Sequence, residues 1–217
     1  MKVDEARVTT AASVAAREGD CWQCGARVGL SPFCTGCERP QPLPAHTDLF
    51  AVLGLPRTLT VDLDDLAKRY HRAARALHPD RHATADERQR VLSLAATALV
   101  NRAYRTLRDP VARGRYWLEL HGDPLGDANN AVPPALAELV FDTQELLEEL
   151  RAGNVDVRAR IDAVHAELRA RLDGLLAELD ARYATATSDA LGDLKRRLSA
   201  IAYLTTLVRD VERALEA

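Results

Sequence analysis

Two groups of residues carry side chains that can do chemistry: four cysteines near the start of the chain, and a histidine and an aspartate joined by a proline, His78-Pro79-Asp80. Cys21 and Cys24 form one CxxC pair and Cys34 and Cys37 a second. This spacing lets two thiolates from each pair converge on one ion. Gly25 and Gly36 suit the tight turns, and Ala26 to Phe33 is long enough to return the chain as a short hairpin. Four thiolates in tetrahedral array make a closed structural zinc site, without an open position for catalysis. Two disulfides would need an oxidising compartment, for which nothing argues, and a redox CxxC would need a βαβ surround that is missing. An iron–sulfur cluster on the same cysteines is compatible with the spacing. His78 as a general base would need a nucleophile, a carboxylate pair or a pocket, and none accompanies it, so the chain does not read as an enzyme.

The elements that must position these residues follow from periodicity and capping. Leu63, Leu66, Tyr70, Ala73 and Leu77 recur at three- and four-residue spacing, which predicts a helix with one buried face and with Lys68, Arg69, Arg72 and Arg75 on the others. Asp62 is a good N-cap, Asp65 stands at the capping-box position, and the cations come late, as the macrodipole prefers. Pro79 ends this helix near His78 and leaves His78 and Asp80 on an exposed turn. A second stripe, Leu92, Ala96, Val100, Ala103 and Leu107, runs to Asp109-Pro110 and closes an antiparallel hairpin. Pro110 to Leu120 reads as a further helix with proline at its first position and Gly122 beyond its end; Tyr116 and Trp117 on it read as core. Ahead of the hairpin, Thr47 to Leu55 is a short helical turn ending at Gly54, with Phe50, Leu53 and Leu55 facing Leu66, Tyr70 and Tyr104.

The flanks divide the chain. Residues 1–20 read as a flexible tail, 21–38 as the tetracysteine knuckle, and 39–46, with Pro40, Pro42 and Pro44, as a semi-rigid linker separating the knuckle from residues 47–122. The turn-rich run GDPLGDANNAVPP places a second linker at 123–133. Residues 134–217 then carry three helical stripes: Leu136, Leu139, Val140, Thr143, Leu147 and Leu150; Val157, Ile161, Val164, Leu168, Leu172, Leu175 and Leu179; and Leu191, Leu194, Leu198, Ile201, Thr205, Val208 and Leu215, the last opening at a Thr187-Ser188 cap. The alternation by three and four predicts an elongated three-helix bundle, so the fold class is all-α. On its first helix Phe141, Glu145 and Glu148 lie opposite the stripe, with Gln144 on the flank, and on its last Tyr203 sits off the stripe near Leu207. An apolar spot ringed by acids has the composition of a protein-binding face; the plainer alternative is that one of the two aromatics covers a neighbouring helix.

Composition narrows the classes. With 217 residues, 47% hydrophobic and 28% charged, the chain can bury a core, and only 5% aromatic content makes that core one of Leu, Ala and Val. A net charge of -3 spreads no field toward nucleic acid or membrane, and between Cys21 and Cys37 the sole cation is Arg27, too few for a nucleic-acid-binding finger. No run approaches the roughly 20 apolar residues that span a bilayer, and the first residues, with Asp4, Glu5, Arg7 and Arg17, lack the apolar core of a secretory signal; the cytoplasm is the expected setting.

Asp48 to Pro56 (DLFAVLGLP), the HPD turn, and Asn101 to Pro110 (NRAYRTLRDP), in that order, resemble a J-domain over roughly a third of the chain. Arg115 to Gly122 (RYWLELHG) and the helical region after it make the chain most similar to the HscB type of iron–sulfur co-chaperone, and CWQCG with FCTGC resembles the N-terminal knuckle of some of its members. The family usually has Tyr where this chain has Leu49. The resemblance implies a co-chaperone that binds an iron–sulfur scaffold protein and delivers it to a DnaK-type chaperone ATPase, which it stimulates. Arg69, Arg72, Arg75, His78, Pro79 and Asp80 would meet the ATPase, and Val140, Phe141, Gln144, Glu145, Glu148 and Tyr203 match the scaffold-binding positions. A general J-domain co-chaperone with another protein client is the alternative, although no Gly/Phe-rich or β-rich client domain is present.

Overall fold

The computed structural model describes residues 19–44, 46–126, 132–182 and 188–216. The hairpin at its centre is built from α2 (Leu63–Leu77) and α3 (Glu87–Arg108), preceded by the single turn α1 (Leu49–Val52) and followed by α4 (Pro110–Leu120). Asp62 caps α2 by accepting from the N–H groups of Asp64 and Asp65 at 2.9 and 3.1 Å. Asp65 closes no capping box; it pairs with Arg69, one turn on, at 2.7 Å. Leu66, Ala73, Ala76 and Leu77 are buried, whereas Leu63, expected on the same face, is 49% exposed because it stands in the first turn, beyond the reach of α3. Tyr70 stacks on Tyr104 with centroids 4.1 Å apart and donates its hydroxyl to Asn101 Oδ1 at 3.0 Å, which fixes the register of the hairpin.

The end of α2 is prepared from the opposite helix. Pro79 cannot continue the ladder, and the carbonyl of Leu77 instead accepts from Ser93 Oγ at 2.7 Å and Thr97 Oγ1 at 3.2 Å. Asp48 caps α1 and receives the Tyr116 hydroxyl at 3.0 Å, while the same hydroxyl accepts the Leu49 N–H at 2.9 Å. Burial, with the Asp48 carboxylate it donates to, holds the Tyr116 phenol above its usual range. Gly54, at φ +65°, turns the chain out of α1. Phe50 packs edge-on against Trp117 of α4, as the core reading of that residue requires.

The remaining helices, α5 (Ala137–Arg151), α6 (Arg158–Arg182) and α7 (Ser188–Glu216), form an antiparallel three-helix bundle. Residues 1–18, the linker stretch 127–131 and Thr187 of the expected α7 cap lie outside the described residues. The buried face of α7 is Leu194, Leu198, Ile201, Leu204, Leu207, Val208 and Val211. Thr205, placed on that face by the sequence, is exposed and returns its hydroxyl to the Ile201 carbonyl at 2.7 Å. The hydrophobic core does not stop at the 123–133 chain boundary: Leu179, Leu194, Leu198 and Ile201 join Trp117, Leu118 and the hairpin in one cluster, while a second cluster around Val140, Leu147, Ile161 and Leu204 fills the far half of the bundle. No helix among the described residues is long and apolar enough to cross a membrane.

Gly114 sets the distance between α4 and α7. A Cβ at this position would lie 3.2 Å from both Leu198 methyls and 3.4 Å from Leu194 Cδ1. Gly114→Val therefore overpacks the joint between the hairpin and the bundle and is expected to destabilise the protein by about 1–3 kcal/mol, read as a lowered urea midpoint at unchanged slope.

The cysteines occupy two small ladders ahead of α1. Strands β1 (Gly19–Asp20) and β2 (Arg27–Gly29) pair antiparallel around the first CxxC, and a bridge between Phe33 and Pro40 encloses the second. The hairpin thus surrounds each cysteine pair rather than lying between them, and Gly19 and Asp20, assigned to the tail from sequence, belong to it. Nor does the proline-rich run hold the knuckle away from the hairpin helices. Phe33 is buried in the same cluster as Phe50 and Leu66. Gln41, 3% exposed, takes the Pro32 carbonyl with its N–H at 2.9 Å and gives its side-chain amide to Arg39 O, and Pro40 O accepts Trp22 Nε1 at 2.7 Å. These bonds fold the run back onto the knuckle.

Candidate functional site

The four cysteine sulfurs lie within 4.8 Å of one another, with Cys21 and Cys37 at 3.6 Å and Cys24 and Cys34 at 3.7 Å, and all four are free of disulfides. A tetrahedral ion with sulfur arms of about 2.3 Å has sulfur–sulfur edges of about 3.8 Å, so the donor set fits a single metal ion at its centre. Each CxxC is the same turn. Gly25 N–H reaches Cys21 O at 3.0 Å and Glu38 N–H reaches Cys34 O at 2.8 Å, while Gln23 and Gly36 point their N–H groups at the sulfurs of Cys21 and Cys34. The residue after the second cysteine takes positive φ, +71° at Gly25 and +56° at Glu38. Gly36 lies within the second turn, as expected, but without positive φ; the left-handed position falls on Glu38. Burial pushes both Cys21 and Cys37 thiols up, but backbone N–H groups and neighbouring thiols bring Cys21 down to about 6, while Cys37 rises to about 12. Two neighbouring thiols pushed apart in this way favour a thiolate at Cys21 and resist one at Cys37, and a cation between them is what would hold both as thiolates.

The second site is the turn after α2. His78 leaves the helix at ψ 129° and Pro79–His82 forms one turn of 3₁₀ helix. Asp80 donates its N–H to His78 Nδ1 at 3.3 Å, and its carboxylate lies 3.6 Å from the same nitrogen. Both side chains face solvent, at 57% and 90% exposure. Beneath them His82, which the sequence reading did not single out, is buried: its Nε2 donates to Ala76 O at 2.9 Å and its Nδ1 accepts from Gln89 Nε2 at 2.7 Å. Ala76 O can only accept, which places a ring proton on Nε2. The turn is therefore a rigid platform carrying two exposed polar side chains.

The three arginines expected beside this turn differ. Arg75 is exposed on the last turn of α2. Arg72 is exposed with its guanidinium 5.9 Å from the Phe33 ring centroid. Arg69 instead ties helices together, bonding Asp65 and donating to Gly54 O at 2.6 Å.

On the bundle, Phe141 is 70% exposed, and Gln144, Glu145 and Glu148 stand exposed beside it. Val140, grouped with them from the resemblance, is 7% exposed and packs in the far core cluster, because it lies on the face that α5 turns inward. Tyr203 is half-buried against that cluster, so it both covers the core and keeps an edge in water. Val91 and Leu94, exposed on α3, are apolar surface that the stripe reading passed over.

Residues 48–116 match the DnaJ domain. The chain is 37% identical over 120 residues to the co-chaperone protein HscB homolog of Bordetella petrii, covering 55% of this chain and 70% of that protein. Its fold is that of human co-chaperone HscB, with a TM-score of 0.67 at 23% identity over 89% of this chain and 97% of the other. Chaperone HscB from Vibrio cholerae superposes with a TM-score of 0.56 at 31% identity, covering 78% of this chain and 99% of that one. An HPD turn on an antiparallel hairpin, a bundle fused to it through a shared core, and the match in sequence and fold together make this chain a member of the family of HscB-type J-domain co-chaperones.

Proposed function

We propose that the chain is an adaptor of iron–sulfur cluster assembly: its bundle binds a scaffold protein, and its HPD turn brings that cargo to a DnaK-type chaperone and stimulates the ATPase. The observation that carries this reading is the pairing of two exposed faces on one continuous framework, the rigid turn at His78–Asp80 and the Phe141 patch on α5. In this reading residues 47–122 work as the J-domain, 134–217 as the cargo-binding bundle and 21–38 as a knuckle holding zinc, in a reducing cytoplasmic setting.

The HPD turn would act by binding, and no bond is broken by this chain. Arg72 and Arg75 supply cationic surface that steers encounter with an acidic ATPase face and fixes orientation. Among the described residues only Nδ1 of His78 is engaged, which leaves Nε2 and the Asp80 carboxylate to the partner. A turn already held in its bound shape loses little entropy on docking, and its contacts bias the ATPase toward the conformation that hydrolyses. On the bundle, Phe141 is an apolar centre and Glu145 and Glu148 a charged rim, with Tyr203 on the neighbouring helix.

Phe141→Ala combined with Glu145→Ala tests the cargo half. Both residues are exposed, so the fold is kept. Removing an aromatic anchor and a rim charge is expected to weaken scaffold binding by about 2 kcal/mol, roughly thirtyfold, in calorimetry. ATPase stimulation in the absence of scaffold is expected to stay at the wild-type level. Undiminished scaffold affinity would remove the patch from the interface.

A further inference from the structure

Contacts run from the tetracysteine turns to both ends of the HPD turn, and the adaptor reading does not require them. Glu38 directly follows the ligand Cys37 and is held at φ +56° by its N–H bond to Cys34 O. There its carboxylate lies 2.6 Å from Nη2 of Arg81, the residue after Asp80, and Arg81 also donates to Arg75 O at 3.4 Å. The next residue, Arg39, donates to Gln89 Oε1, whose amide nitrogen bonds His82, and His82 in turn bonds Ala76 O. A third link is Arg88, with its guanidinium 4.6 Å from the ring centroid of Trp22, inside the first CxxC.

From these contacts we infer that the metal-closed second CxxC turn positions the HPD turn, with Glu38 and Arg39 as its positioning residues, so that metal occupancy of the knuckle sets how readily the co-chaperone engages the ATPase. Left-handed backbone at a glutamate is disfavoured and persists only where the surroundings impose it. The surroundings here are the Cys34–Cys37 turn, which metal closes. An exposed ion pair such as Glu38–Arg81 is worth little alone. The relay through buried Gln89 and His82 is worth more, because losing Arg39 leaves the Gln89 carbonyl oxygen without this donor. Metal loss releases both at once.

The functional half of this inference rests on the adaptor reading, and the test separates the two. Full-length protein is reconstituted with zinc or stripped with a chelator under reducing conditions, and hydrogen exchange is followed in the 76–84 segment. Exchange there is expected to quicken about tenfold on zinc removal, with the α6–α7 core unchanged. Glu38→Ala with Arg39→Ala, still holding zinc, is expected to quicken the same segment. It should also raise the co-chaperone concentration for half-maximal ATPase stimulation about fivefold while leaving maximal stimulation intact, since His78 and Asp80 are unchanged. Unchanged exchange on zinc removal overturns the inference, as does a zinc-bound double variant with the wild-type half-maximal concentration. If the wild-type protein stimulates no DnaK-type ATPase, the adaptor reading fails instead, and hydrogen exchange alone decides whether the knuckle holds the turn.

Discussion

Replacing His78 by glutamine is expected to leave the protein folded and to abolish its stimulation of the chaperone ATPase. The His78 side chain is more than half exposed, joins neither core cluster, and makes its interactions with Asp80 through Nδ1 alone. A substitution of that kind ordinarily changes stability by less than about 0.5 kcal/mol, so circular dichroism and the melting temperature should match the wild type. At the interface the loss is of another order. Truncating one partner of a desolvated hydrogen-bonded pair costs about 2–5 kcal/mol, which corresponds to thirtyfold or more in affinity for the stimulated complex. Steady-state ATPase rates of a DnaK-type chaperone titrated with wild-type and variant protein give the comparison. A variant that stimulates fully would show that the HPD turn is not the contact.

Cys34→Ser should have the largest effect on structure, centred on the knuckle. Cys34 is completely buried, its sulfur receives the Gly36 N–H, and its carbonyl holds the Glu38 turn. A segment this short has too little core to fold by itself, and in small tetrahedral sites the metal supplies most of the folding free energy, about 10–16 kcal/mol in isolated zinc peptides. Without the fourth thiolate the knuckle should lose its ion and open, and Phe33 should leave the hairpin core, which would cost about 1.5–3 kcal/mol of burial. Limited proteolysis followed by mass spectrometry should then find new cleavage between residues 19 and 44 while the helices from α1 onward stay protected. Full protection of 19–44 in the metal-free variant would contradict a metal-dependent knuckle.

Helix α2 was legible from the sequence almost to the residue because its signals agree: a cap at Asp62, a stripe of fixed period and a proline that stops the ladder. The same holds for α4, with proline at its start and Gly122 past its end. Phase was less legible than existence. On α7 the drift of 3.6 against a three–four alternation carries the buried face from Ile201 to Leu204, Val208 and Val211, leaving Thr205 outside. Val140 stands among the binding positions through the resemblance alone; the stripe places it on the inward face of α5, where it is buried. The knuckle's docking was not legible at all. It depends on Phe33, Trp22 and Gln41, single residues without periodicity whose partners lie far along the chain, and three prolines argue for a spacer unless one knows where the intervening amides bond. His82 and Gln89 carry no signal of burial in a polar stretch, and only the geometry shows the relay they form.

The adaptor reading stands or falls on whether the two faces work together. The most direct measurement is calorimetric binding of the full-length protein to an iron–sulfur scaffold protein, with the ATPase of a DnaK-type chaperone recorded for each component alone and for both. The expected result is a saturable scaffold complex and an ATPase rate with both proteins above the sum of their separate stimulations. Stimulation by the HPD turn that scaffold neither binds nor enhances would contradict it, and would leave a J-domain co-chaperone whose cargo is some other protein.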